Sequence, residues 1–145
     1  MLTLIEKVLL LQEIDVFQNS TTEDLSHIAA ITERVMFSKG DIIYEEGDIS
    51  DSLYVVVDGR VRLHRGGTDI MIAEPKNVFG TWALFDHEPR VSAATALEDC
   101  TLLRLTKEDF YDLLADHSQI TQGVLKTLSM RLRRLLQNVK ISDPT

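Results

Sequence analysis

A glycine-led apolar turn followed closely by an arginine can hold an anion. Residues 79–90 supply that combination: Phe79-Gly80-Thr81-Trp82-Ala83-Leu84, then Phe85-Asp86-His87-Glu88-Pro89-Arg90. Gly80 lets backbone approach a ligand, and a helical turn after it presents N–H groups without intrahelical partners. Arg90 adds a planar, permanently charged fork suited to phosphate or carboxylate. The plainer alternative is that Arg90 pairs with Asp86, Glu88 or another carboxylate. Trp82 has two readings as well, as a core side chain or as a platform for a ligand. No other constellation competes. His27, His64, His87 and His117 are scattered and form no His-x-His pair, and Cys100 is the sole cysteine, so no metal site is expected. There is no Gly-x-Ser-x-Gly elbow, phosphate-binding Walker loop or catalytic triad, so no catalytic residues and no enzyme are expected.

Totals bound the possibilities. A chain of 145 residues, 44% hydrophobic, fits one domain spanning 1–145 with a real core. Fifteen Lys and Arg against 23 Asp and Glu give a net charge of −8, which argues against contact with nucleic acid by this chain. A single Cys100 suits a reducing compartment, so a cytoplasmic location is expected. The apolar burst Val8-Leu9-Leu10-Leu11, with Glu6 before it and Glu13 after, is too short to span a bilayer and lacks the shape of a signal peptide. No membrane insertion is expected of these residues.

The elements that must position the anion cradle follow from hydrophobic period. Residues 1–32 read as N-terminal helices. The first covers 3–17, with Leu4, Val8 and Leu11 on one face and Ile5, Leu9 and Leu10 beside them. Ser20 or Thr21 caps the second, with Leu25, Ile28 and Ile31 at threes. Over residues 33–106 the period drops to two, with turns at Gly40-Asp41, Gly47-Asp48, Asp58-Gly59 and Gly66-Gly67. Such spacing predicts an antiparallel barrel or jelly roll. The helical period returns over 107–140. Thr106 caps a helix carrying Phe110, Leu113 and Leu114, and a longer helix runs from about Gln119 with Ile120, Val124, Leu128, Leu132, Leu135 and Val139 as its stripe. Residues 141–145 read as a tail. The class is α+β.

These motifs, in this order, resemble the cyclic-nucleotide-binding domain family of catabolite activator proteins and kinase regulatory subunits. The resemblance rests on Gly40-Asp41-Ile42-Ile43, Glu46-Gly47-Asp48, Asp51-Ser52-Leu53-Tyr54, Asp58-Gly59-Arg60-Val61, Phe79-Gly80 and Glu88-Pro89-Arg90. It implies an eight-stranded antiparallel β roll, jelly-roll-like, flanked by N-terminal helices and by C-terminal hinge and lid or dimer helices. It also implies that 79–90 is a phosphate-binding cassette, with Gly80, Thr81, Trp82, Ala83, Arg90 and Val91 at the phosphate. The ligand implied is cyclic AMP, cyclic GMP or another small phosphate-bearing molecule.

The chain departs from the family pattern at specific places. The family's ribose-binding glutamate falls on Thr81, which lacks the carboxylate. A hydrogen bond to a charged group contributes about 1.5–3 kcal/mol, so its loss weakens binding roughly ten- to a hundredfold. Trp82 stands where a smaller aliphatic residue is usual. Val91 replaces a small or hydroxyl-bearing residue, and Ser92, one place on, is expected to point to the opposite strand face. Pro75-Lys76-Asn77 replaces Pro-Gly-Asp, which a type I turn with Pro75 second would tolerate. The expectation is a non-catalytic regulatory module with weak or lost cyclic nucleotide affinity, controlling a partner or a fused output domain. The alternative is a ligand-independent dimerisation or interaction scaffold that is part of a larger protein, such as a channel, transporter or signalling protein. A homodimer through Val124, Leu128, Leu132 and Leu135 is expected, with Arg131, Arg133 and Arg134 flanking the seam.

Overall fold

The computed structural model describes residues 2–138; Val139 and the expected tail at 141–145 lie outside these. The N-terminal helix α1 (Leu4–Leu11) starts at Thr3, whose hydroxyl accepts from the Glu6 N–H while the Glu6 carboxylate accepts from the Thr3 N–H. The helix expected to reach residue 17 ends at Leu11 and gives way to a 3₁₀ turn at Asp15–Phe17. The reason is geometric: Ile14, Val16 and Phe17 all bury, and no single helix face holds three residues so close in sequence. Leu4, Ile5 and Leu9 are left exposed. Helix α2 (Thr22–Ala30) is capped by Thr21, whose hydroxyl accepts from the Asp24 N–H, and it buries Leu25, Ile28 and Ala29.

Eight strands follow: β1 (Glu33–Phe37), β2 (Ile42–Tyr44), β3 (Ser52–Asp58), β4 (Val61–Arg65), β5 (Thr68–Ala73), β6 (Val78–Phe79), β7 (Ala93–Ala96) and β8 (Cys100–Thr106). They form two four-stranded antiparallel sheets, β1-β8-β3-β6 and β2-β7-β4-β5, in a jelly roll that does not close into a barrel. Strand β3 reads as a continuous apolar run because both of its faces are covered. Leu53 and Val55 join the core shared with α1, α2 and the C-terminal helices, whereas Tyr54 and Val56 join the core between the sheets.

Two Gly-Asp turns have the same job. The Gly40 N–H donates to the Ala96 carbonyl (2.8 Å) while Ala96 donates to Asp41 (2.9 Å). The Gly47 N–H donates to the Arg90 carbonyl (2.8 Å) while Arg90 donates to Asp48 (2.9 Å). Gly47 has φ 87, the left-handed region that favours glycine. That second turn is what fixes the backbone of Arg90.

The turn at Pro75 corrects the sequence expectation. The Asn77 N–H donates to the Glu74 carbonyl (2.8 Å), and Lys76 has φ 76, so the turn is type II. Two bonds to β3, Lys76 N–H to the Val56 carbonyl and Val56 N–H to the Asn77 carbonyl, hold it there. A lysine therefore occupies a left-handed position, and the replacement of glycine is not neutral.

Helix α3 (Lys107–Asp116) is capped by Thr106, whose hydroxyl accepts from the Asp109 N–H (3.2 Å), and buries Phe110. His117 alone separates it from α4 (Ser118–Asn138). The single stripe expected on α4 is two stripes. Ile120, Val124 and Thr127 bury, and Arg131 continues that face to an ion pair with Asp15 at 2.9 Å. Gly123 lets this face close on the N-terminal turn: a Cβ there would stand 3.3 Å from the Asn19 carbonyl oxygen. Leu125, Leu128, Leu132 and Leu135 lie roughly 100° around the helix and are exposed. Among the described residues no helix is long and apolar enough to cross a membrane.

Candidate functional site

The residues singled out by sequence converge on one cavity. Its volume is about 560 Å³, and Tyr44, Gly80, Thr81, Trp82, Ala83, Arg90, Val91 and Ser92 all line it. That lies within the range of small-molecule sites. Gly80 sits at φ 77, which turns the chain from β6 into a 3₁₀ turn at Thr81–Leu84 rather than an α-helix. The Ala83 N–H is already bonded to the Gly80 carbonyl at 3.1 Å, so the turn's leading donors are Thr81 and Trp82. Ala83 and Leu84 bury and anchor the turn.

Arg90 is only 6% exposed, and it does not pair with Asp86 or Glu88. Its Nη2 donates to the Ser52 carbonyl at 2.7 Å, and its guanidinium carbon lies 4.0 Å from the centre of the Tyr44 ring. Its Nη1 would be 2.7 Å from a Cβ on Gly80. Gly80 is thus required twice, once for its φ and once because a methyl group would collide with the guanidinium. Nε of Arg90 is buried without a hydrogen-bond partner among the described residues. A buried cation satisfied by one carbonyl and one aromatic face has capacity left for an anion.

Beneath Arg90 lies an aromatic layer. Tyr54 stacks on Phe79 at 5.2 Å, and Tyr44 contacts both at 6.2 Å. Burial pushes the Tyr44 phenol above the usual tyrosine value, and the Arg90 charge partly offsets this. Tyr44 and the Ser52 carbonyl were not identifiable as site groups from sequence. They lie on different sheets, and only the fold brings them to Arg90.

Two expectations change. Trp82 is 78% exposed at the rim of the cavity and is not a core residue. The chain at 91–92 is a bend that precedes β7, so strand alternation does not apply there. Val91 is exposed and Ser92 buried, yet both line the cavity that Arg90 lines. Thr81 lines the cavity, but the carboxylates around it come from elsewhere: Glu46, Asp86 and Glu88. Glu46 lies 3.9 Å from Arg65, a further cation at the rim.

The architecture is thus a two-sheet jelly roll flanked by helices, with a glycine-led turn beside a buried arginine. Residues 34–117 match the cyclic nucleotide-binding domain, and the chain belongs to that family. It is similar to the CRP-like cAMP-activated global transcriptional regulator of Mycobacterium tuberculosis, with 30% identity over 122 residues covering 79% of this chain and 54% of that protein. It is similar to lysophospholipase nte1 of Emericella nidulans, with 30% identity over 119 residues, 79% of this chain but 8% of that protein. The solved N-terminal domain of a transcriptional regulator from Streptomyces coelicolor A3(2) superposes with a TM-score of 0.83 at 30% identity, covering 92% of this chain and 98% of that one. The chain spans about half the length of the bacterial regulator it matches.

Proposed function

We propose that this domain is a non-catalytic regulatory module whose cavity takes a small phosphate-bearing anion, with cyclic nucleotides as the ligand class and weak affinity for cyclic AMP and cyclic GMP. The observation that carries the reading is Arg90: buried, unpaired by any carboxylate among the described residues, and with Nε unsatisfied beside Gly80. Thr81 at the ribose position accounts for the weakness, because it cannot accept as a carboxylate does. The named activation of the mycobacterial relative by cyclic AMP supports the ligand class. The differing output proteins among the relatives support an output that resides in another segment or in a partner. The acidic domain itself would not contact nucleic acid, and a cytoplasmic setting fits its lone thiol.

Trp82 is the sole tryptophan and lies in the cassette, so its fluorescence reports on the site directly. Titration with cyclic AMP, cyclic GMP and cyclic dinucleotides is expected to shift its emission, with calorimetric heats at matching concentrations. Thr81→Glu should tighten binding roughly ten- to a hundredfold. It should also create a preference for cyclic AMP over its 2′-deoxy analogue. No heat and no fluorescence change at millimolar nucleotide, in both parent and Thr81→Glu chains, would reject the sensor reading.

The scaffold reading draws on the exposed leucines of α4. Leu125, Leu128, Leu132 and Leu135 recur at intervals of three and four, the pattern of a coiled-coil seam. A second copy of this chain is the proposed occupant. Val124, expected in that seam, is instead buried against the domain itself. Sedimentation should show a dimer that Leu128→Glu and Leu132→Glu convert to monomer; a monomeric parent chain would discard the seam.

A further inference from the structure

The register of the second sheet places a charged pair one step outside the arginine seat. Tyr44 of β2 and Leu63 of β4 both stand opposite Ala94 of β7. Both flanking strands run antiparallel to β7, so two residues further along each lead to Glu46 and Arg65. Both line the cavity, and the Glu46 carboxylate meets Arg65 Nε at 3.9 Å. Two residues advance a strand by about 7 Å. The Arg90 guanidinium lies over the Tyr44 ring, so the Glu46–Arg65 pair stands roughly that far along the strands from the anion seat. The pair is loose. Its separation exceeds that of a charge-assisted hydrogen bond, and both side chains are about half exposed or more. Such a pair contributes little to stability. Of the other cavity carboxylates, Asp86 already accepts from the Glu88 N–H at 3.1 Å, and Glu88 lies on the loop before Arg90. Glu46 is therefore the acceptor at the rim, and Arg65 is the donor beside it.

We propose that Glu46 and Arg65 are specificity-determining residues that select guanine, so that the cavity prefers cyclic GMP to cyclic AMP. The inference rests on the reading of the cavity as a cyclic nucleotide site. In a cyclic nucleotide the phosphate and the base occupy opposite ends of the ribose. With the phosphate at Arg90, a base edge falls one sugar away, which is the step from Tyr44 to the rim. Guanine carries two donors, N2–H and N1–H, followed along the same edge by two acceptors, O6 and N7. The donors suit the two oxygens of Glu46, and the acceptors suit the planar fork of Arg65. The donor and acceptor pairs are neighbours on the base, as the carboxylate and guanidinium are neighbours in the cavity. Adenine presents an acceptor, N1, where the carboxylate needs a donor, and offers no pair of adjacent acceptors to the arginine. A second phosphate is a poorer occupant of the rim, because Glu46, Asp86 and Glu88 all line the cavity.

Calorimetry of the whole chain with cyclic GMP, cyclic IMP and cyclic AMP tests this, in the parent and in Thr81→Glu, where affinity is expected to be higher. Cyclic GMP should bind at least about fivefold more tightly than cyclic AMP, the low end for a bidentate base contact because the rim is exposed. Cyclic IMP, which lacks the 2-amino group, should fall between them. Glu46→Gln should bring the ratio of cyclic GMP to cyclic AMP affinity below about twofold, and Arg65→Met should lower it as well. Neither change should move the urea midpoint, since the pair is exposed. The ratio is the readout because a change of charge at the rim acts on every nucleotide alike. Repeating the titration with the 2′-deoxy forms of both nucleotides should preserve the preference, because the base carries it. A ratio near one in both backgrounds would overturn the proposal. So would a ratio that both variants leave unchanged, or one that vanishes with the 2′-deoxy forms. Binding without discrimination thus rejects this inference alone, whereas no heat from any nucleotide in either background rejects the ligand reading and this inference with it.

Discussion

Gly80→Ala combined with Arg90→Met probes the site most directly. Alanine at φ 77 carries a left-handed backbone cost of about 1–2 kcal/mol. Its Cβ would also stand 2.7 Å from Nη1 of Arg90, and this contact forces the guanidinium out of its seat. Moving it breaks the charge-assisted bond to the Ser52 carbonyl, about 1.5–3 kcal/mol. The single change therefore costs about 2.5–5 kcal/mol, a large part of the stability of an ordinary domain. Arg90→Met loses the same hydrogen bond but removes the nearest colliding atom, leaving the new Cβ 3.0 Å from the Ser52 carbonyl oxygen in both Gly80→Ala and the double variant. The double variant loses that bond only once, so its cost should fall short of the sum of the two single costs by about 1.5–3 kcal/mol. Urea unfolding followed by circular dichroism supplies the four free energies. Additivity within about 0.5 kcal/mol would refute the claim that Gly80 exists to make room for Arg90.

Three other outcomes follow from the same geometry. Lys76→Gly should stabilise the chain by about 0.5–1 kcal/mol, since relief of the left-handed strain outweighs the added freedom of the unfolded chain; a loss in the urea midpoint would contradict the type II turn. Gly59→Ala should cost at least about 2 kcal/mol, because φ is 88 and the new Cβ would lie 2.5 Å from the Asp99 carbonyl oxygen; near-parental thermal stability would contradict this. Tyr44 holds its proton more tightly folded than unfolded, so its contribution to stability is full below about pH 10 and is lost as pH rises through the higher folded value. Phenolate absorbance should show one tyrosine titrating late, and later still in Arg90→Met, where the charge that favours the phenolate is gone.

Local chemistry is what the sequence made legible. The Gly-Asp turns, the Thr21 and Thr106 caps and the alternation of β4 each act over a few residues, and each appears where expected. Interactions over long separations were not legible. Arg90 finds the Ser52 carbonyl and Tyr44 only after the two sheets face each other. The Lys76 turn type is decided by bonds to Val56, and residues 74–77 alone do not reveal it. Trp82 stays outside because Ala83 and Leu84, the next two residues, take the inward positions of a very short turn.

The arginine that fits the family pattern and the threonine that departs from it can be separated in the structure. The charge clamp is defined by Gly80, Arg90, Tyr44 and the Ser52 carbonyl, and Thr81 belongs to none of those contacts. A threonine at 81 therefore leaves the contacts of Arg90 intact, with its Nε still unsatisfied. A buried arginine with no carboxylate partner among the described residues, beside a glycine that admits no side chain, supports the proposed anion site. On the proposed reading, Thr81→Glu should therefore change affinity and nucleotide preference without disturbing the bond from Arg90 to the Ser52 carbonyl.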